Sequence, residues 1–123
     1  ADAISKDDLD PAVFLERRAA AYRAYYEHMP LRRSSLPIGP DMRLFRRNSF
    51  GQLAEFNVLD TRQYRSDQPC GDGLKPRCAA AFAEEATMTG PEQERWLLAN
   101  LARSDARWNV IAQQTIFAQV DFA

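Results

Sequence analysis

Asp60, Arg62, Tyr64 and Arg65 follow directly on an apolar run, Phe56-Asn57-Val58-Leu59, and precede a stop at Pro69. Open α/β sheets place their chemistry where a strand gives way to a loop at its carboxyl end, and this stretch has that grammar. A guanidinium offers a planar fork of N–H donors suited to phosphate, so arginine just past a strand suggests anion contact. Arginine is also abundant elsewhere. Arg17, Arg18, Arg23, Arg32, Arg33, Arg43, Arg46 and Arg47 crowd the middle of the chain, against only Lys6 and Lys75. That bias reads either as anion contact or as codon bias with solvated helix faces.

The other residue types that carry chemistry are sparse. His28 is the single histidine. It falls at the end of an expected helix, where a cation complements the dipole, and no flanking carboxylates mark it as an acid, base or ligand. Cys70 and Cys78, the two cysteines, bracket a small Gly/Pro-rich loop. Three readings stay open for them: a disulfide, free thiols, or half of a metal site. A disulfide across so short a loop would contribute roughly 2–3 kcal/mol in the chain-entropy picture. A zinc site needs four ligands, or three and a water, so no metal ligand is assigned.

These residues need elements to hold them. Asp10-Pro11 starts a helix that runs to about Glu27, with Asp10 capping and proline tolerated in the first turn. Val13, Phe14, Arg17, Ala21, Ala24, Tyr25 and His28 track one face, with Tyr22 and Tyr26 beside it as packing residues. Pro30, Pro37, Gly39 and Pro40 punctuate a loop. Met42–Phe50 and Leu53–Leu59 read as two strands of an antiparallel hairpin turning at Gly51-Gln52. The second strand delivers Asp60. Residues 60–88 are irregular, and Thr89-Gly90-Pro91-Glu92 then matches a capping box. The helix it opens reaches about Arg103, with Trp96, Leu97 and Leu101 as its buried stripe. Trp108–Gln113 follows as a buried strand, and helix, tight turn, apolar strand is the second half of a βαβ unit. That strand is expected to lie parallel to another in the same sheet. Gln113-Gln114-Thr115 occupies the same place after it as Asp60–Tyr64 does after the earlier strand.

Composition is that of a folded domain: 123 residues, 46% hydrophobic and 27% charged. The net charge of −1 gives no global field for nucleic acid or a membrane surface. No run approaches the roughly 20 apolar residues of a membrane span. The chain starts at Ala1 rather than methionine, with no signal peptide before it, which fits a processed, excised or internal piece.

Four phrases, in order, resemble the PhoD-like alkaline phosphatase (metallophosphatase) family: Phe14–Arg32, Leu59–Arg65, Thr87–Leu97 and Arg107–Gln114. Together they span most of residues 11–119. The resemblance implies an α/β fold, part of a metallophosphoesterase-like layered α/β sandwich, here with a long N-terminal helix, a β-hairpin, and a helix followed by a buried strand. It implies a secreted, periplasmic or cell-wall-associated phosphatase or phosphodiesterase that hydrolyses phosphate esters by metal-activated attack, with iron and calcium as the parent's metals. The family's ligand-bearing phrases, Asp-Asp-His-Glu and Gly-Asp-x-His, are absent here. Residues 1–123 therefore read as a single partial domain, an internal segment of the catalytic domain. No catalytic residue or metal ligand is carried over, and the segment alone is expected to bind neither metal fully and to be inactive.

Within that reading Arg62 is the residue expected to touch substrate phosphate. Asp60, Tyr64 and Arg65 support the site, with Asp60 holding the loop by pairing with an arginine rather than acting as a base. The partners are then the phosphate ester and the missing flanking segments of the same domain, with no membrane and no nucleic acid. Two readings compete: an arginine-rich anion- or nucleic-acid-binding module, which lacks aromatics interleaved with basic residues, and a purely structural domain.

Overall fold

The computed structural model describes residues 9–71, 76 and 78–116. The chain divides into two compact units, Ala1–Leu44 and Phe45–Ala123, and each is taken by itself.

In the first unit, α1 spans Pro11–His28. Asp10 caps it as the sequence leads one to expect, with Oδ1 accepting from Ala12 N–H at 2.8 Å, and Pro11 takes the first helical position where its missing N–H costs nothing. The helix ends at His28, with Met29 N–H returning to Tyr25 C=O. The less exposed stripe is Phe14, Leu15, Arg18, Ala19, Tyr22 and Tyr26, while Val13, Ala21, Ala24 and Tyr25 of the expected face are exposed. Apolar and polar residues surround α1 almost evenly, so its sequence does not set the phase of burial. Arg18 lies over the Tyr22 ring, 5.2 Å from its centroid, and reaches toward Asp41 at 3.9 Å. On the solvent side Arg23 Nε donates to Glu27 Oε1 at 2.9 Å; that bond, then the charge itself, raises the guanidinium pKa above its ordinary value. The segment after the helix holds a 3₁₀ turn at Arg33–Ser35 and a tight reversal in which Ile38 and Asp41 exchange backbone hydrogen bonds around Gly39.

The second unit carries a three-stranded sheet in the order β1 (Arg46–Phe50), β2 (Ala54–Val58), β3 (Trp108–Ala112). β1 and β2 form the expected antiparallel hairpin, Arg46 opposite Val58 and Phe50 opposite Ala54. The turn takes Gly51, Gln52 and Leu53, with Gly51 at φ +53°, a conformation glycine adopts without a Cβ penalty. Strand β1 starts only at Arg46, although Met42 and Phe45 before it are among the most buried residues. Strand β3 runs parallel to β2, Ala54 opposite Trp108 and Val58 opposite Ala112, as the βαβ reading requires. The connection between them contains a 3₁₀ turn at Ala79–Phe82 and α2, Gly90–Arg103.

Two further expectations change. Residues Trp96, Leu97 and Leu101 of α2 are only half-buried; the buried residues of the helix are Gly90, Gln93 and Asn100. The buried face is polar because it meets polar positions of the sheet: Asn100 Nδ2 donates to Asn57 Oδ1 at 3.2 Å, and Asn57 is 0% exposed. Strand β3 forms where expected but is not buried, with Trp108 62% and Ile111 46% exposed. Its apolar sequence is that of a strand covered on both faces, and the described residues of this chain do not cover it.

Candidate functional site

Pairing of β2 with β3 extends one residue past the strand, through Leu59 N–H to Ala112 C=O at 2.8 Å. At Asp60 a side chain takes over from the strand. Gln93, in the first turn of α2, accepts from Asp60 N–H on Oε1 at 2.7 Å and donates through Nε2 to Asp60 C=O at 2.9 Å and Thr89 C=O at 3.0 Å. The Gln93 amide is fully buried and satisfies both backbone groups of Asp60 where a neighbouring strand would otherwise do so. One residue on, Gln114 Oε1 accepts from Thr61 N–H at 3.1 Å and from its hydroxyl at 2.7 Å. The glutamine after β3 thus ties down the loop after β2.

Asp60 itself is 2% exposed. Its Oδ1 accepts from the backbone N–H groups of Arg62 at 2.9 Å and Gln63 at 3.0 Å, and Oδ2 accepts from Gln63 Nε2 at 2.6 Å. The expected arginine partner is replaced by the chain's own amides. Aspartate readily bonds the N–H groups two and three residues on, which requires no long side chain to be ordered. The carboxylate is committed to holding the loop.

Arg62 is exposed, and its guanidinium meets no acceptor among the described residues. Tyr64 is half-buried and packs edge-on against Phe45, ring centroids 5.4 Å apart, while Phe45 packs in turn on Trp96 at 4.9 Å. Gly90 at φ +68° lies against the Tyr64 backbone: a Cβ there would stand 3.2 Å from Tyr64 O. Arg65 donates to Gln68 Oε1 at 3.2 Å within the loop. Ser66 and Thr87 then close the base of the following excursion, Ser66 N–H to Thr87 C=O at 2.9 Å and Thr87 N–H to Ser66 Oγ at 3.0 Å. Inside it Cys70 and Cys78 form a disulfide with Cα atoms 5.7 Å apart.

The structure therefore gathers Asp60, Arg62 and Tyr64 on one braced loop and leaves Arg62 as the member with donors to offer. Gln63 and Gln93 are the residues the sequence reading did not single out. The available signal was polar residues at seam positions of an amphipathic helix: Gln93 and Asn100 share a face with Trp96 and Leu97. A cavity of about 480 Å³ opens at the carboxyl ends of β2 and β3, lined by Leu59, Thr61, Leu97, Ile111 and Ile116 among others. Its lining is largely apolar, with Thr61, Thr89, Gln113 and Thr115 as the polar members. Among the described residues no three His, Cys, Asp or Glu side chains gather as a metal site. No helix among the described residues is long and apolar enough to cross a membrane.

Comparison with known proteins decides the family. Residues 1–123 match the family described as PhoD-like phosphatase. The chain belongs to the PhoD-like phosphatase family. It is 60% identical over 109 residues to alkaline phosphatase D of Bacillus subtilis (strain 168), a match covering 89% of this chain and 19% of that protein. A solved structure titled "Structure of PhoD" superposes on the whole chain with a TM-score of 0.92 and 54% identity, and the match takes in 24% of that chain. The α/β fold of the PhoD-like phosphatases is thus reproduced here over about a fifth to a quarter of these relatives' length.

Proposed function

We propose that this chain is the central segment of a phosphoesterase of the PhoD-like family, an internal part of its catalytic domain, and that the loop after β2 presents Arg62 to the phosphate of an ester substrate. The observation that carries this reading is an exposed guanidinium on a loop braced by Asp60, Gln93 and Gln114 at the carboxyl ends of two parallel strands. Positioned N–H donors stabilise the charge that develops on phosphoryl oxygens during transfer, and they act best when their support does not have to reorganise. Phosphomonoesters and phosphodiesters both present such oxygens. Iron and calcium, held by flanking segments of the same protein that complete the site, would supply the activation of the attack on phosphorus in this reading. The Cys70–Cys78 disulfide supports an exported protein, since disulfides persist in oxidising compartments.

The test is Arg62→Ala and Arg62→Lys in the full-length phosphatase that carries this segment, assayed on p-nitrophenyl phosphate and bis-p-nitrophenyl phosphate. Arg62→Ala is expected to lower kcat/KM by about 100-fold, the scale of losing one charge-stabilising donor group. Arg62→Lys should recover part of it, because lysine keeps the charge and loses the fork. Unchanged kcat/KM in Arg62→Ala would overturn the reading.

A further inference from the structure

We propose that Gln93, with Gln114 as a second anchor, is a positioning residue for this reaction: it sets where Arg62 stands without touching substrate. The inference rests on the reading of Arg62 given above. A continuous polar chain leads from α2 to the arginine. The Gln93 amide holds Asp60 N–H at 2.7 Å and Asp60 C=O at 2.9 Å, and the Asp60 carboxylate holds the Arg62 and Gln63 N–H groups at 2.9 and 3.0 Å. Gln114 fixes the residue between, Thr61, by two bonds to one oxygen.

Burial makes this chain consequential. Gln93 is 0% exposed and Asp60 and Thr61 are 2% and 3% exposed, so water cannot replace a lost partner without the loop moving. Removing the Gln93 amide orphans both backbone groups of Asp60, and the turn that the Asp60 side chain closes is built on that backbone. Gln93 also reaches Thr89 C=O, which holds its amide in the orientation that serves Asp60. A side chain kept only for packing would need its volume and not its two ends. Gln93 uses both ends, each on the residue two before Arg62.

The experiment is a double-mutant cycle in the full-length phosphatase, combining Gln93→Met, which keeps the length and loses both hydrogen-bonding ends, with Arg62→Ala. Gln93→Met is expected to lower kcat/KM on bis-p-nitrophenyl phosphate about 10- to 100-fold when Arg62 is present, the scale of a misplaced contact. It should cost less than about twofold when Arg62 is alanine, because interacting residues are non-additive. Thermal unfolding should shift equally in both backgrounds, which separates positioning from stability. If Gln93→Met does not fold, the same cycle with Gln114→Ala decides, since Gln114 is exposed and its loss empties no core. Equal losses of activity in both backgrounds, or no loss with Arg62 present, overturn the positioning role. No effect of Arg62→Ala alone overturns the reading beneath it, and the two failures are distinct.

Discussion

Two residues shape the loop from opposite sides. Asp60 gathers three hydrogen bonds on a buried carboxylate, and Gly90, bare of a Cβ, lets the start of α2 come against Tyr64. Gly90 sits at φ +68°, so alanine there meets two costs: a left-handed backbone and a Cβ 3.2 Å from Tyr64 O and 3.3 Å from Tyr64 Cβ. Gly90→Ala is expected to destabilise by at least about 1–2 kcal/mol, read by urea unfolding of the full-length protein. Equal stability would mean that α2 can withdraw from the loop freely. At this scale the sequence announced that Asp60 anchors and misnamed its partner. Opposite charges can be paired by reading letters, whereas a carboxylate bonding N–H groups two and three residues ahead depends on a backbone turn that letters do not show.

At the scale of elements, α1, the hairpin, α2 and β3 lie within a few residues of their expected places, because caps, glycine turns and apolar runs are local signals. The cap of α2 is the exception in detail. Thr89, the first residue of the expected capping box, makes no side-chain cap bond; Thr87 Oγ1 accepts instead from Thr89 N–H at 3.3 Å and Gly90 N–H at 3.0 Å. Thr87 is also the residue tied to Ser66, so the helix start and the base of the disulfide loop are one structure. Thr87→Val should therefore cost about 1 kcal/mol, the usual scale of a lost cap. Thr89→Val should be close to neutral. Equilibrium unfolding of the two variants side by side checks the assignment, and the reverse order would restore the capping box. Burial phase was legible for neither helix: α1 lacks a clear apolar face, and α2 buries Gln93 and Asn100 because Asp60, past β2, and Asn57, within it, supply them with partners.

At the scale of the molecule, one face of the sheet brings together Phe50, Ala54, Phe56, Trp108 and Val110, with Phe50 65%, Trp108 62% and Val110 36% exposed. Phe50 and Phe56 stack edge-on at 5.6 Å, Phe50 exposed and Phe56 half-buried. A contiguous exposed apolar patch of this kind marks an interaction surface or an aggregation liability. The isolated 123-residue chain is accordingly expected to bind the dye ANS and to self-associate in light scattering. It should also hydrolyse no p-nitrophenyl phosphate when iron and calcium are supplied. Hydrolysis by the isolated chain would show that the site is complete within it. What the sequence by itself determined was the family, through four ordered phrases, and the order of elements, through local propensity and capping. Tertiary structure alone decided that amides rather than arginine hold Asp60, that Gln93 and Gln114 brace the loop from α2 and from the end of β3, and that β3 lies open. The physical reason is distance along the chain: Gln93 is 33 residues from Asp60 and Gln114 is 53 from Thr61, and only folding brings such groups within hydrogen-bond reach.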